Sequence, residues 1–229
     1  MMGESPKTSL LADALLVVAK RPAPGRTKTR LTPPLTPEQA AALYECFLRD
    51  TLDLMRQVPG VRPAIAFLPA DERAYFESLA PDFELVLQEG KSLGERLDNA
   101  LAGCFDAGHQ RAVIMNSDGP TLPSASLTAA FDELRNGADV VLGPSDDGGY
   151  YLIGLRRPAP RLLREVTMST PNVLADTLAI AAEEGLHVAL LPMWYDVDDE
   201  ASLARLRSEL ASAPSEVARH TRLFLNAWQ

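Results

Sequence analysis

The sequence predicts an α/β fold built on a mostly parallel, buried sheet. Two observations predict it. Short apolar runs alternate with amphipathic stretches of helical period along almost the whole chain, the pattern of βαβ crossovers. The runs themselves are apolar throughout, as strands covered on both faces must be. At 229 residues, with 46% apolar and 23% charged residues, the chain has the ordinary balance of a folded globular protein. No internal repeat, low-complexity segment or long linker divides it. It therefore reads as one domain over residues 14–229 behind a loose N-terminal segment, 1–13.

Residues 14–20 (ALLVVAK) are a short apolar run followed by Pro and Gly, and read as the first strand. Thr36-Pro37-Glu38-Gln39 is a helix start: a Thr cap, Pro at the first helical position, and Gln placed to close a capping box. That helix runs to about residue 57, with Ala40, Leu43, Phe47 and Leu54 on one face. Strands follow near residues 63–68, 84–87, 112–115 and 139–142, with helices between them at about 72–79, 93–105 and 124–134. Residues 150–155 give a further strand, 170–184 a helix and 187–193 a last strand. Helices over 199–209 and 215–228 close the chain. The apolar stretch 223–228 suits packing on the domain or on a second copy, so a homodimer stays open.

The charge excludes some classes. With 22 Lys and Arg against 31 Asp and Glu, the net charge is −9, which argues against a dedicated nucleic-acid binder. A site for an anionic ligand must then be a local basic cluster. No apolar run approaches the ~20 residues of a membrane helix. Two cysteines make no disulfide framework, and the N-terminus shows no signal-peptide pattern, so the expected setting is a reducing cytoplasm.

In parallel α/β sheets, ligands sit outside the carboxyl ends of the strands, so the informative residues follow each apolar run. After the first run come Lys20, Arg21, Gly25, Arg26, Thr27, Lys28, Thr29 and Arg30. Five cations in one Pro/Gly-shaped loop suit a di- or triphosphate, or form a solvated basic loop. The spacing is neither a Walker A loop nor a dinucleotide fingerprint. After the strand at 112–115 comes Asn116-Ser117-Asp118-Gly119-Pro120, where a short carboxylate on a tight turn is a natural Mg²⁺ or Mn²⁺ ligand, or part of an everyday turn. After the last strand come Asp196, Asp198 and Asp199, which can bind metal, cap the next helix, or divide those tasks. Between them Asp146-Asp147-Gly148-Gly149-Tyr150 reads as a polar loop able to hold a hydroxylated acceptor, or as a hairpin turn. The three histidines and two cysteines show no metal-ligand spacing. Trp194 and Tyr195 suit ligand stacking or packing, and no nucleophile elbow is present.

Taken together, these places carry a resemblance. Ala19-Lys20-x-Pro-x-Pro-Gly25-x-x-Lys28-Thr29-Arg30-Leu31, Leu93-Gly94-Glu95-Arg96-Leu97, Ser117-Asp118-Gly-Pro, Gly143-Pro-x-x-Asp147-Gly-Gly-Tyr-Tyr151-Leu-Ile-Gly and Asp196-Val-Asp198 occur in order between Leu15 and Leu206. The chain resembles a bacterial family of glycosyltransferase-like proteins related to the nucleotide-diphospho-sugar transferases of GT-A type. Its N-terminal half is also similar to phospholactate guanylyltransferases. Two departures stand out: Asn116 replaces a more usual Gly, and Met168 a more usual Trp.

The resemblance implies a three-layer α/β/α fold of GT-A type, with a nucleotide at the first strand's end and Mg²⁺ or Mn²⁺ bridging its phosphates to aspartates. It implies Asp118 and Asp198 as metal ligands, with Asp196 as a third candidate. Lys20, Gly25, Arg26, Lys28 and Arg30 would serve the phosphates, and Gly94, Glu95 and Arg96 would close the nucleotide pocket. Gly148, Gly149 and Tyr150 would face the acceptor, with Asp147 or Asp146 activating it. The leading expectation is a metal-dependent glycosyltransferase that moves a sugar from a nucleoside-diphosphate sugar to a small acceptor. The alternative is a nucleotidyltransferase that joins a nucleoside triphosphate to a phosphorylated small molecule and releases pyrophosphate.

Overall fold

The sheet grows outward from its first strand. In the computed structural model, which describes residues 13–228, β1 (Asp13–Lys20) pairs in parallel with β2 (Val61–Leu68) on one side and β4 (Ala112–Met115) on the other. β2 carries β3 (Glu84–Leu87) at one edge, again in parallel. Beyond β4 lie β6 (Tyr150–Leu155), β5 (Val140–Pro144) and β7 (Val188–Leu190), giving the order β3-β2-β1-β4-β6-β5-β7. β6 is the exception to parallel pairing: it runs antiparallel to both β4 and β5. The turn over residues 145–149 that joins β5 to β6 is therefore a hairpin, and the start of β6 lies level with the ends of its neighbours.

Alternation along β1 divides the core. Leu15, Val17 and Ala19 point to one face, which is covered by α1 (Pro37–Arg56), α2 (Arg73–Leu79) and α4 (Ser124–Arg135). Ala14 and Leu16 point to the other, covered by α3 (Leu93–Asp106), α5 (Arg161–Arg164) and α6 (Val173–Glu183). The result is a three-layer α/β/α arrangement. α1 has a second buried face: Leu43, Tyr44 and Phe47 pack against α7 (Glu200–Ser212) and α8 (Arg219–Ala227).

Capping fixes where helices begin. Thr36 accepts from the Gln39 amide while the Gln39 side chain accepts from the Thr36 amide, the reciprocal box expected from the sequence. Asp199 caps α7 in the same way, with Ser202 as its partner. α8 has no side-chain cap of its own. Instead Asp50, buried on α1, accepts from the amides of His220 and Thr221 at 2.8 and 2.9 Å. The C-terminal helix thus docks on the domain through Leu225, while Leu223 stays exposed.

Several boundaries differ from expectation. The helix expected from 170 begins at Val173, because Ser169 and Pro171 hold an irregular segment before it. The last strand ends at Leu190, where Pro192 lacks the N–H to continue the ladder. The final helix starts at Arg219. The expected loose segment 1–13 lies outside the described residues except for Asp13, which opens β1, buried and paired with Arg111 and Arg135 at 3.1 and 2.8 Å. No described helix is long and apolar enough to cross a membrane.

Candidate active site

A cleft of about 970 Å³ opens where β1 and β4 end and β6 begins. That volume lies at the upper end of the range for small-molecule sites. The loop after β1 forms one wall and supplies Lys20, Arg26, Lys28 and Arg30. The backbone of Lys28 is left-handed (φ 48°, ψ 41°), and Thr29–Leu31 then makes one tight helical turn. Leu31 is fully buried, which pins the loop to the domain.

Lys28 is the centre of the site. Only 5% of its side chain is exposed, and its Nζ is bonded to Asp118 and lies 2.8 Å from Asp198 Oδ1. Arg30 Nη2 meets the other oxygen of Asp198 at 2.5 Å. Burial opposes the charge on Lys28, but the two carboxylates more than offset it and raise its pKa. Lys20, Arg26 and Arg96 also line the cleft, without ion-pair partners among the described residues.

Asp118 reaches this point from the turn after β4. Its backbone carbonyl accepts from Val197 at 2.9 Å, which ties the two acidic segments together. Asp196 stands apart from the lysine: Asn116 Nδ2 approaches both of its oxygens at 3.0 Å. Burial first, then the charge of Asp118, pushes the Asp196 carboxyl up to about 7. Tyr44, from α1, shares a 3.0 Å hydrogen bond with Ser117 Oγ, and burial pushes its phenol up to about 12.

The opposite wall is the β5–β6 hairpin and the segment 168–173. Asp147 lines it and accepts from the Gly149 amide at 2.9 Å. Gly149 and Tyr150 line it too, as does Ser169, left-handed at φ 63°.

Five of the expected site residues do not line the cleft. Asp146 is turned away into an ion pair with Arg205 at 2.7 Å. Gly25 shapes the turn at Ala23–Arg26. Gly94 is a packing contact: a Cβ there would lie 2.0 Å from the Leu163 carbonyl oxygen, so only glycine lets α3 meet α5. Glu95 locks the loop before α3 by accepting from the Lys91 amide at 2.8 Å. Gly148 lets the segment 168–173 approach, its missing Cβ standing 2.0 Å from the Pro171 carbonyl oxygen. Conversely, sequence reasoning did not single out Gln88, Tyr44 or Ser169 as lining residues. Tyr44 reads as one more apolar-face residue of α1, and nothing local marks it.

The donors present fit a hard divalent cation. Asp118 and Asp198 are two carboxylates facing one cationic point, and Mg²⁺ takes one or two protein carboxylates plus phosphate oxygens. Among the described residues no three His, Cys, Asp or Glu groups converge.

Comparison with known proteins agrees with this architecture. The chain is 30% identical over 173 residues to a 2-phospho-L-lactate guanylyltransferase from Methanothermobacter thermautotrophicus (strain Delta H), covering 73% of this chain and 71% of that one. It superposes with a TM-score of 0.88 and 32% identity on the crystal structure of a candidate nucleotide-diphospho-sugar transferase from Desulfovibrio desulfuricans G20, over 95% of each chain. The fold is shared with Rv0371c of Mycobacterium tuberculosis H37Rv, solved in complex with manganese, at a TM-score of 0.54 and 16% identity over 86% of this chain and 98% of that one. Residues 51–170 match the family model described as an uncharacterized protein conserved in bacteria (DUF2064), and the chain belongs to that family.

Proposed function

We propose that this protein is a nucleotidyltransferase that joins a nucleoside triphosphate to a phosphorylated small molecule. The observation that carries this is the density of charge on the loop after β1: Lys20, Arg26, Lys28 and Arg30 all line one end of the cleft. A triphosphate has more charge to neutralise than a sugar diphosphate. The similarity to a guanylyltransferase supports the same reading.

In this reaction an acceptor phosphate oxygen forms a bond to the α-phosphorus as the bond from that phosphorus to the bridging oxygen breaks. The electron pair leaves with pyrophosphate. Negative charge grows on the departing β-phosphate, where Lys20, Arg26 and Lys28 stabilise it and cost no reorganisation if already in place. A Mg²⁺ or Mn²⁺ ion held by Asp118 and Asp198 would polarise the phosphoryl oxygens. Asp196, held by Asn116, is the third candidate ligand. An acceptor phosphate is already ionised, so no general base is required. Asp147 then acts by holding the Gly149 amide and so the shape of the acceptor wall.

Sugar transfer is the second reading, favoured by the likeness to the Desulfovibrio protein over 95% of the chain. There Asp147, the member of the carboxylate pair that lines the cleft, would take the proton from an acceptor hydroxyl.

Thermal-shift screening with Mn²⁺ against nucleoside triphosphates and nucleotide sugars separates the readings. A ligand at 100 times its dissociation constant adds roughly 2.7 kcal/mol. Stabilisation by a triphosphate, followed by pyrophosphate release on adding a phosphorylated acceptor, is the expected result. Selective stabilisation by a nucleotide sugar would transfer the assignment to sugar transfer. No shift with any nucleotide would remove both.

A further inference from the structure

Charge bookkeeping at the acidic pair leads beyond the reaction class. Asp118 and Asp198 contribute two negative charges, and Lys28 and Arg30 contribute two positive ones at bonding distance. The pair is thus already neutralised by the protein's own cations. The point that both carboxylates face is filled by a buried ammonium held at 2.8 Å from Asp198. A free divalent ion would have to displace that ammonium and would leave it buried beside a dication.

A polyphosphate changes this balance. Lys20 and Arg26 line the same wall without ion-pair partners among the described residues, so phosphate oxygens drawn to them arrive beside Lys28 and Arg30. Those oxygens offer both cations a new counter-charge. Once the lysine turns to phosphate, Asp118 and Asp198 lose their neutralising partner and present two oxygens to a hard cation.

We infer that Lys28 is a latch on the acidic pair, and that the cleft takes a divalent metal together with a nucleoside polyphosphate, excluding the free ion. The inference rests on the nucleotide reading above. It makes metal and nucleotide binding cooperative, and by linkage each strengthens the other by the same factor. Lys28 is a positioning residue for the metal and a binding residue for phosphate.

The test uses the full-length protein and Mn²⁺ alone, with free Mn²⁺ followed by electron paramagnetic resonance. Lys28→Met should bind Mn²⁺ at least about tenfold more tightly than wild type, within the usual range of coupling between sites. Adding Asp118→Asn to Lys28→Met should abolish that gain. Arg30 is 70% exposed, so Arg30→Met does not threaten the fold. It should show a smaller gain, on the order of threefold. Equal Mn²⁺ affinity in wild type, Lys28→Met and Arg30→Met would overturn the latch. Failure of wild type to bind any nucleotide would instead strike the transferase reading, and the Mn²⁺ comparison would still decide the latch.

Discussion

Arg205 sits over the ring of Tyr195, its guanidinium carbon 3.7 Å from the ring centroid, and from there reaches Asp146 at 2.7 Å. One exposed helix residue thus fixes two chain segments that flank the cleft: the residue before Asp147 and the residue before Asp196. The same face of α7 adds Glu209, which accepts from both Tyr195 and Thr121, and Ser202, which accepts from the Asp198 amide at 3.0 Å. α7 braces all three acidic loops without lining the cleft.

Arg205→Met is therefore expected to lower turnover several-fold, while stability falls by no more than about 1 kcal/mol because the ion pair is exposed. Arg205→Lys keeps the charge but not the planar fork that can meet ring and carboxylate together, and should restore activity only in part. Steady-state kinetics beside melting curves would show it. A variant with a full loss of stability and unchanged turnover of the folded fraction would make α7 merely structural.

Asp118→Asn should reduce turnover by roughly 10²-fold or more, the scale of one preorganised electrostatic contact. Nucleotide binding without metal should survive, because Lys20, Arg26, Lys28 and Arg30 are all retained, whereas its strengthening by Mn²⁺ should be lost. Pyrophosphate release and nucleotide titration, measured on the same preparation, separate the two effects.

Gly148→Ala and Gly94→Ala should both destabilise the fold, by about 1–3 kcal/mol, since in each the new Cβ meets a backbone carbonyl oxygen at 2.0 Å. Their functional effects should differ. Gly148→Ala pushes the hairpin and the segment 168–173 apart and should raise KM for the acceptor. Gly94→Ala acts through the contact between α3 and α5 and should leave KM values nearly unchanged in the folded fraction.

Asp139 gives a pH prediction. The hydrogen bond from Arg156, at 2.6 Å, leads a set of interactions that hold its carboxyl below the usual range, with the His187 amide at 3.0 Å next. A lowered folded-state pKa means stability that is present above the unfolded value, about 3.9, and is lost as pH falls through the folded value. Denaturant melts from pH 6 to pH 2 should show this acid-side loss. Asp139→Asn should flatten it and be less stable at neutral pH.

Much of this was legible in the sequence. Residues 84–87, 112–115 and 150–155 are strands with the boundaries their apolar runs suggest, and the Thr36–Gln39 box forms as its residue types dictate. Strand direction was legible only in the connection. A buried strand has the same period read either way, but the few residues between 142 and 150 are too short for a crossover, and of the two readings of that loop the hairpin is the one that forms. The sequence could not separate Asp146 from Asp147. Adjacent carboxylates look alike, and the residue that draws one of them away, Arg205, lies 59 positions further on. The role of Gly94 was hidden for the same reason: its packing partner, Leu163, belongs to another helix.

The reversed course of β6 has a consequence for how members of this family can diverge. One rim of the cleft is a coil between a strand and a helix, and such a coil can lengthen or shorten without changing strand register. The other rim is a tight hairpin whose two arms are central and next-to-edge strands, where inserting one residue would turn every following side chain to the wrong face. Change at the hairpin rim must therefore come through exchanged side chains there and on the segment 168–173, while the coil after β1 tolerates a change of length outside Lys28–Leu31.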